Sequence, residues 1–166
     1  IWIINLNSFP LKNLKNMDIK YDRSEKEWED CILDESRKKF SLNWMKEGSL
    51  DKFRHERMLN KIKPFITKNS KWLTLGDGRY GTDANFIIKN GGKAHASDIS
   101  DSLLEIGKAH NFINEYSKQN AEKISFKDDT FDYVLIKEAF HHFPRPWIAL
   151  YEAFRVCKKG VILIEP

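Results

Sequence analysis

Three glycines, Gly76, Gly78 and Gly81, follow the apolar run Trp72-Leu-Thr-Leu75, and a second short strand further on ends in the carboxylate of Asp98. Glycine has no Cβ, so the main chain can turn tightly there and a ligand can lie directly against it. A helix starting just beyond such a turn presents unpaired N–H groups to a negatively charged ligand group. A carboxylate at the end of the neighbouring strand is placed to hold both hydroxyls of a ribose. Strand, glycine turn, helix and acid together predict a nucleoside-bearing cofactor.

A second group of residues able to do chemistry lies at Phe140-His-His-Phe143, just beyond Glu138. A neutral imidazole takes up a proton from a hydroxyl or an amine near neutral pH. His141, His142 and Glu138 are therefore the candidate general bases, against the plainer reading in which one histidine bonds within its loop and the other faces water. Adjacent histidines cannot easily share one metal ion, and no other His or Cys nearby has ligand spacing, so no metal is expected. Trp28, Trp44 and Phe53 are candidates for a lid, although aromatics at helical spacing more commonly build a core.

Strands and helices must position these groups, and from Lys71 onward the two alternate. Residues 71–76 read as the first strand, and Thr82 or Asp83 can cap a helix that Gly91-Gly92 ends. Residues 93–98 are the second strand, followed by a helix from Ser100 or Asp101 to about His110. The third strand is expected at roughly 115–119, a buried fourth at 131–137 and a fifth at 160–165. Between the last two, Pro146 suits the first turn of a helix whose apolar face is expected at Trp147, Leu150, Tyr151 and Phe154. Near-continuous apolar strands alternating with helices predict an α/β fold, a Rossmann-like doubly wound parallel sheet that binds ligands at the carboxyl ends of its strands.

Before Lys71 the pattern is helical. One helix is expected over about 24–44, its apolar face marked by Trp28, Cys31, Ile32, Phe40 and Trp44. A second, capped by Ser49, would run to about Ile62, with Leu50, Phe53, Met58, Leu59 and Ile62 on its less regular buried side and Pro64 ending it. Residues 1–20 read as an extended arm. The organisation expected is thus an arm and helical extension over 1–68 and a cofactor-binding domain over 69–166.

A chain of 166 residues can bury a real core, and its net charge of +4 is spread among interspersed acids, which argues against a nucleic-acid partner. Cys31 and Cys157 have no paired spacing, so the expected setting is reducing and cytoplasmic. No apolar run is long enough to span a membrane, and Ile1-Trp-Ile-Ile4 is too short for a signal-peptide core. The chain begins with Ile and ends at Glu165-Pro166 just after an apolar strand, so a fragment is expected.

From Lys71 to Pro166 the sequence resembles the class I S-adenosylmethionine-dependent methyltransferases, in particular the small-molecule type 11 group. The likeness rests on Leu73-Thr-Leu-Gly-Asp-Gly-Arg-Tyr-Gly81, Ala96-Ser-Asp-Ile-Ser100, Asn120-Ala-Glu-Lys-Ile-Ser-Phe126 with Asp132-Tyr-Val-Leu-Ile136, and Phe154-Arg-Val-Cys-Lys-Lys-Gly160. The resemblance implies S-adenosylmethionine as cofactor, a small-molecule acceptor and strand order 3-2-1-4-5, with two further strands in a complete sheet. It implies that Gly76 and Gly78 approach the methionine portion, Asp98 binds the ribose, Ile99 packs on the adenine, and Ala121 and Glu122 read the adenine edge. Lys137 and Glu138 would lie near the transferable methyl. Two family positions differ, with Thr74 where an acid is usual and Tyr80 where a glycine is usual, and Asp77 is expected to supply the missing charge near the cofactor's amino group.

Two other readings stand beside this one. Gly76-x-Gly78-x-x-Gly81 also spells a dinucleotide fingerprint, and Asp98 lies 22 residues past Gly76, which suits an NAD-dependent oxidoreductase. That reading leaves Glu122 and the 126–142 segment without a role. The Thr74 and Tyr80 departures suit a non-catalytic binding or interaction module.

Overall fold

The computed structural model of the protein describes residues 22–46 and 48–165. The arm expected over 1–20 lies outside them, as do the side chains of Trp28 and Phe40. The expected helix over 24–44 is broken into α1 (Asp22–Leu33), α2 (Glu35–Ser41) and a 3-10 turn, Leu42–Met45. Asp34 causes the break: its Oδ1 accepts the amides of Ser36 and Arg37, both at 2.9 Å, and so caps a new helix. The hydroxyl of Ser49 caps α3 (Leu50–Leu59) by accepting Lys52 N at 3.1 Å, and Pro64 falls in a 3-10 turn, Asn60–Phe65.

Five strands follow with helices between them: β1 (Lys71–Leu75), α4 (Thr82–Lys89), β2 (Lys93–Asp98), α5 (Ser102–Ala109), β3 (Glu115–Lys118), β4 (Phe131–Lys137), a 3-10 turn Phe140–His142, α6 (Pro146–Val156) and β5 (Cys157–Ile164). All pairings are parallel and the sheet order is β3-β2-β1-β4-β5. Strand order reverses beside β1, so the crevice beyond the carboxyl ends of β1 and β4 is the expected ligand site of such a sheet.

The strands send alternate side chains to opposite faces. Leu73, Leu75, Val134 and Ile136 face α6, where they pack with Ala149, Ala153 and Val156. Trp72, Ala94, Ala96 and Leu135 face α4 and α5, with Ile87, Leu104 and Ile113. Each large aliphatic side chain fully buried this way contributes about 1.5–3 kcal/mol. Leu59 and Ile62, from the helical extension, belong to the same cluster as Trp72, so the core runs across the 68/69 boundary.

Two apolar faces are placed differently from expectation. On α6 the aromatic stripe is exposed, Trp147 by 75% and Tyr151 by 70%, while the alanines meet the sheet. Small residues let the helix lie close over β4 and β5, a contact that Trp or Tyr would hold off. On α3, Leu50 and Phe53 are exposed and His55 is buried in their stead. No helix of the described residues is long and apolar enough to cross a membrane.

Candidate functional site

A cavity of about 330 Å³ opens at the carboxyl ends of β1, β2 and β4. Gly76, with φ +77°, ends β1, and a Cβ there would come within 2.4 Å of the Cβ of Ala139, so only glycine lets this turn close against the segment after β4. Gly81, also at φ +77°, lies so close to Ile113 that a Cβ would sit 2.7 Å from it. Asp77 N donates to Ser97 O at 3.0 Å and the Ser97 hydroxyl to Thr74 O at 2.6 Å, which ties the glycine turn to the end of β2. Asp98 follows, 5% exposed, with Oδ1 accepting Ser100 N at 3.1 Å. Gly76, Asp77, Asp98, Ile99, Ala121, Lys137, Glu138, His141 and His142 all line the cavity.

Two expected members do not. Gly78 is not among the lining residues. The carboxylate of Glu122 turns away to Arg145, accepting its backbone N at 2.8 Å and its Nε at 2.6 Å, and so secures the loop that enters α6. The carboxylate of Glu122, expected at the adenine edge, is thus held by the loop before α6, and Gln119 lines the cavity.

Asp77 also has other work. Its Oδ1 accepts Asp83 N at 3.1 Å, and its Oδ2 accepts Ala84 N at 2.9 Å and the Thr74 hydroxyl at 2.9 Å. The first turn of α4 is thus capped by a carboxylate from the preceding loop rather than by Thr82 or Asp83. Burial and the nearby Asp83 push the Asp77 carboxyl well up from its ordinary value, while the capping amides and the Thr74 hydroxyl pull the other way. Both oxygens of Asp77, the residue expected beside a cofactor amino group, thus accept hydrogen bonds within the fold. The threonine at the family's acid position is one of its partners.

At the β4 end a polar cluster joins the sheet to α3. Lys137 Nζ lies 2.7 Å from His55 Nδ1, 3.2 Å from Glu138 Oε2 and 3.4 Å from Asp83 Oδ1. Arg79 Nη1 approaches the other ring nitrogen of His55 at 2.8 Å, and Arg54 pairs with Glu138 at 3.1 Å. Burial first, then Lys137 and Arg79, hold His55 down at about 4, so the ring is neutral near pH 7. Burial raises the Glu138 carboxyl, but Lys137, His55 and Arg54 outweigh it and leave the group below its ordinary range. Glu138 has φ +52°, a left-handed conformation that costs a non-glycine residue about 1 kcal/mol and is held by Glu138 N donating to Ile164 O at 2.8 Å.

The two adjacent histidines have different surroundings. His141 Nδ1 bonds the carboxylate of Glu165, beyond the end of β5, which also accepts Ala139 N and Phe140 N. With Nδ1 bound to the carboxylate, Nε2 is the nitrogen left to serve as acceptor. His142 lies beside it, ring centroids 4.1 Å apart and the planes tilted by 41°. Sequence reasoning missed Glu165, His55, Asp83, Arg79 and Gln119. Asp83 and Arg79 adjoin the glycine turn and could have been flagged there, whereas nothing local to His55 or Glu165 signals this site.

A family model described as a methyltransferase domain matches residues 73–164, more than half of the chain. The chain belongs to this methyltransferase family. Its strand order and the position of its cavity agree with that membership. The ubiquinone/menaquinone biosynthesis C-methyltransferase UbiE of Sinorhizobium fredii is 28% identical over 127 residues, covering 72% of this chain and 49% of that protein. UbiE of Bartonella bacilliformis is 39% identical over 101 residues, covering 55% of this chain and 39% of its own length. This methyltransferase-family chain therefore spans about half the length, or less, of these curated relatives. Among solved structures, the PH0226 protein of Pyrococcus horikoshii superposes with a TM-score of 0.62 at 26% identity, over 73% of this chain and 61% of that one. BH2331 of Bacillus halodurans, which carries a provisional methyltransferase name, superposes with a TM-score of 0.57 at 31% identity, over 64% of this chain and 50% of that one.

Proposed function

We propose that this chain is an S-adenosylmethionine-dependent methyltransferase domain acting on a small-molecule acceptor. The observation that carries the reading is the single cavity wall shared by Gly76, Asp98, Ile99, Ala121, Glu138 and His141, on a chain of the methyltransferase family. The residues fit the cofactor: Asp98 is the ribose-binding group, Ile99 and Ala121 flank the adenine, and Gly76 lets the main chain approach the methionine portion. When bound, the cofactor supplies a methyl group already activated on a sulfonium.

The protein's own contribution is then alignment, exclusion of water and proton removal. Alignment of two reactants can contribute about 7–11 kcal/mol. His141, with Nδ1–H donated to Glu165, is the proposed base, receiving the acceptor's proton at Nε2, and Glu165 is a positioning residue. Glu138 is ion-paired on two sides and serves better to hold Lys137 and Arg54 than to take a proton. His142 is the second candidate base. Replacing His141 by Ala is expected to lower turnover about 10²–10⁴-fold on an accepted hydroxyl or amine substrate while cofactor affinity holds. Unchanged turnover would remove His141 from this role.

Family membership supports the methyl-donor reading of the glycine turn over the nicotinamide one, and the paired imidazole and carboxylate favour a catalytic site over an inert binding module. The relatives' names, C-methyltransferases of ubiquinone/menaquinone biosynthesis, make a carbon atom one acceptor to try. The cytoplasm is the proposed setting, supported by Cys31 and Cys157 standing as thiols rather than a disulfide. Titration calorimetry with S-adenosylhomocysteine and with NADH tests the cofactor reading. Binding of the first alone is expected, and binding of NADH alone would overturn it.

A further inference from the structure

One carboxylate oxygen in the cavity wall has no hydrogen-bond partner. Asp83, 4% exposed, is the second residue of α4, and its Oδ1 is buried without a donor. The nearest charge is Lys137 Nζ at 3.4 Å, and that ammonium has closer partners in His55 Nδ1 and Glu138 Oε2. A buried carboxylate oxygen left without a donor is costly, and folded proteins seldom leave one unless something else completes it.

The surroundings select what completes it. The amides of Asp83 and Ala84, which would draw an anion to the start of α4, are already given to Asp77. Beside the carboxylates of Asp83 and Glu138, a cationic N–H donor meets a buried acceptor that no hydrogen-bond donor fills. Asp83 lines the same cavity as Gly76, which ends β1, and Thr82, which opens α4.

We propose that Asp83 binds the ammonium group of the donor's amino-acid tail through Oδ1, the oxygen that faces Lys137 Nζ at 3.4 Å. The assignment rests on the S-adenosylmethionine reading and deepens it, because it moves the amino-group contact from Asp77 to Asp83. Burial raises the Asp83 carboxyl from its ordinary value and Lys137 opposes that rise, so an arriving ammonium further favours the charged form.

The test uses the full chain and two thioethers, S-adenosylhomocysteine and S-adenosyl-4-thiobutyrate, which lacks only the α-amino group. Wild-type protein is expected to bind the first about 10- to 100-fold more tightly, the range of one hydrogen bond to a charged group. Asp83→Asn should bring S-adenosylhomocysteine down to the level of the deaminated ligand and leave the affinity of the latter within about twofold. Asp83→Glu, which keeps the charge, should retain part of the discrimination. Equal affinity of the two ligands for wild-type protein overturns the assignment without recourse to any variant, as does an Asn variant that loses both ligands equally or neither. Wild-type protein that binds neither ligand removes the cofactor reading itself, a result distinct from binding both alike.

Discussion

Tyr80 stands in the left-handed region at φ +60°, where the resemblance leads one to expect glycine, yet it is 1% exposed. A non-glycine residue there costs about 1–2 kcal/mol. The ring offsets this by packing against Trp44, centroids 6.1 Å apart, while its hydroxyl lies 2.8 Å from Ser41 Oγ. Tyr80→Phe is expected to cost about 1 kcal/mol through the lost hydrogen bond. Tyr80→Gly, though it relieves the backbone, should cost more, about 2–4 kcal/mol, because a buried aromatic is removed. Urea denaturation measures both, and a Gly variant as stable as wild type would show that the strain dominates. Gly76, Gly81 and Asp98 were legible in the sequence because glycine and a strand-end acid carry local signals. Glu165 was not, because its partner His141 is 24 residues away in sequence and only the parallel pairing of β4 with β5 brings them together.

The helix α3 shows how an element can be anchored through polar rather than apolar contacts. Leu59 enters the core, but the face that meets the cavity-lining Lys137, Glu138 and Arg79 does so through His55, Arg54 and Asp51. His55 falls from about 6.5 unfolded to about 4 folded, so the folded state binds fewer protons between these values. Stability from this group is therefore complete above pH 6.5 and is lost as pH falls toward 4, about 2 kcal/mol of it between pH 7 and pH 5. Denaturant midpoints at pH 7 and pH 5 should show that drop, and His55→Gln should flatten it. An identical slope in the variant would refute the account. Hydrophobic periodicity could not reveal this, since it ranks His55 as polar and Leu50 and Phe53 as core. The same limit applies to α6, where the aromatic spacing is regular but Ala149, Ala153 and Val156 face the sheet. The strands were easier to place: runs such as Phe131–Lys137 are apolar on both faces, which parallel sheets require.

Across the molecule, all of these contacts depend on one topology. The order β3-β2-β1-β4-β5 places the ends of β1, β2 and β4 side by side, and the segments that follow them form one cavity wall. Alternation of apolar strands and helices gave the layers, and the resemblance gave the order. The contribution of the helical extension to both core and site came only from the three-dimensional arrangement. Among the described residues β5 pairs on one side only, and the exposed Trp147, Tyr151 and Phe154 stand on the neighbouring α6, features that in an isolated chain favour association. The decisive experiment is a calorimetric titration of wild-type chain and its Asp98→Ala variant with S-adenosylhomocysteine. Saturable one-site binding by wild type and a loss of at least about tenfold in the variant, the range of one hydrogen bond to a charged group, are predicted. Equal affinity of the two proteins, or no binding by wild type, would contradict the assignment of this cavity to the methyl donor.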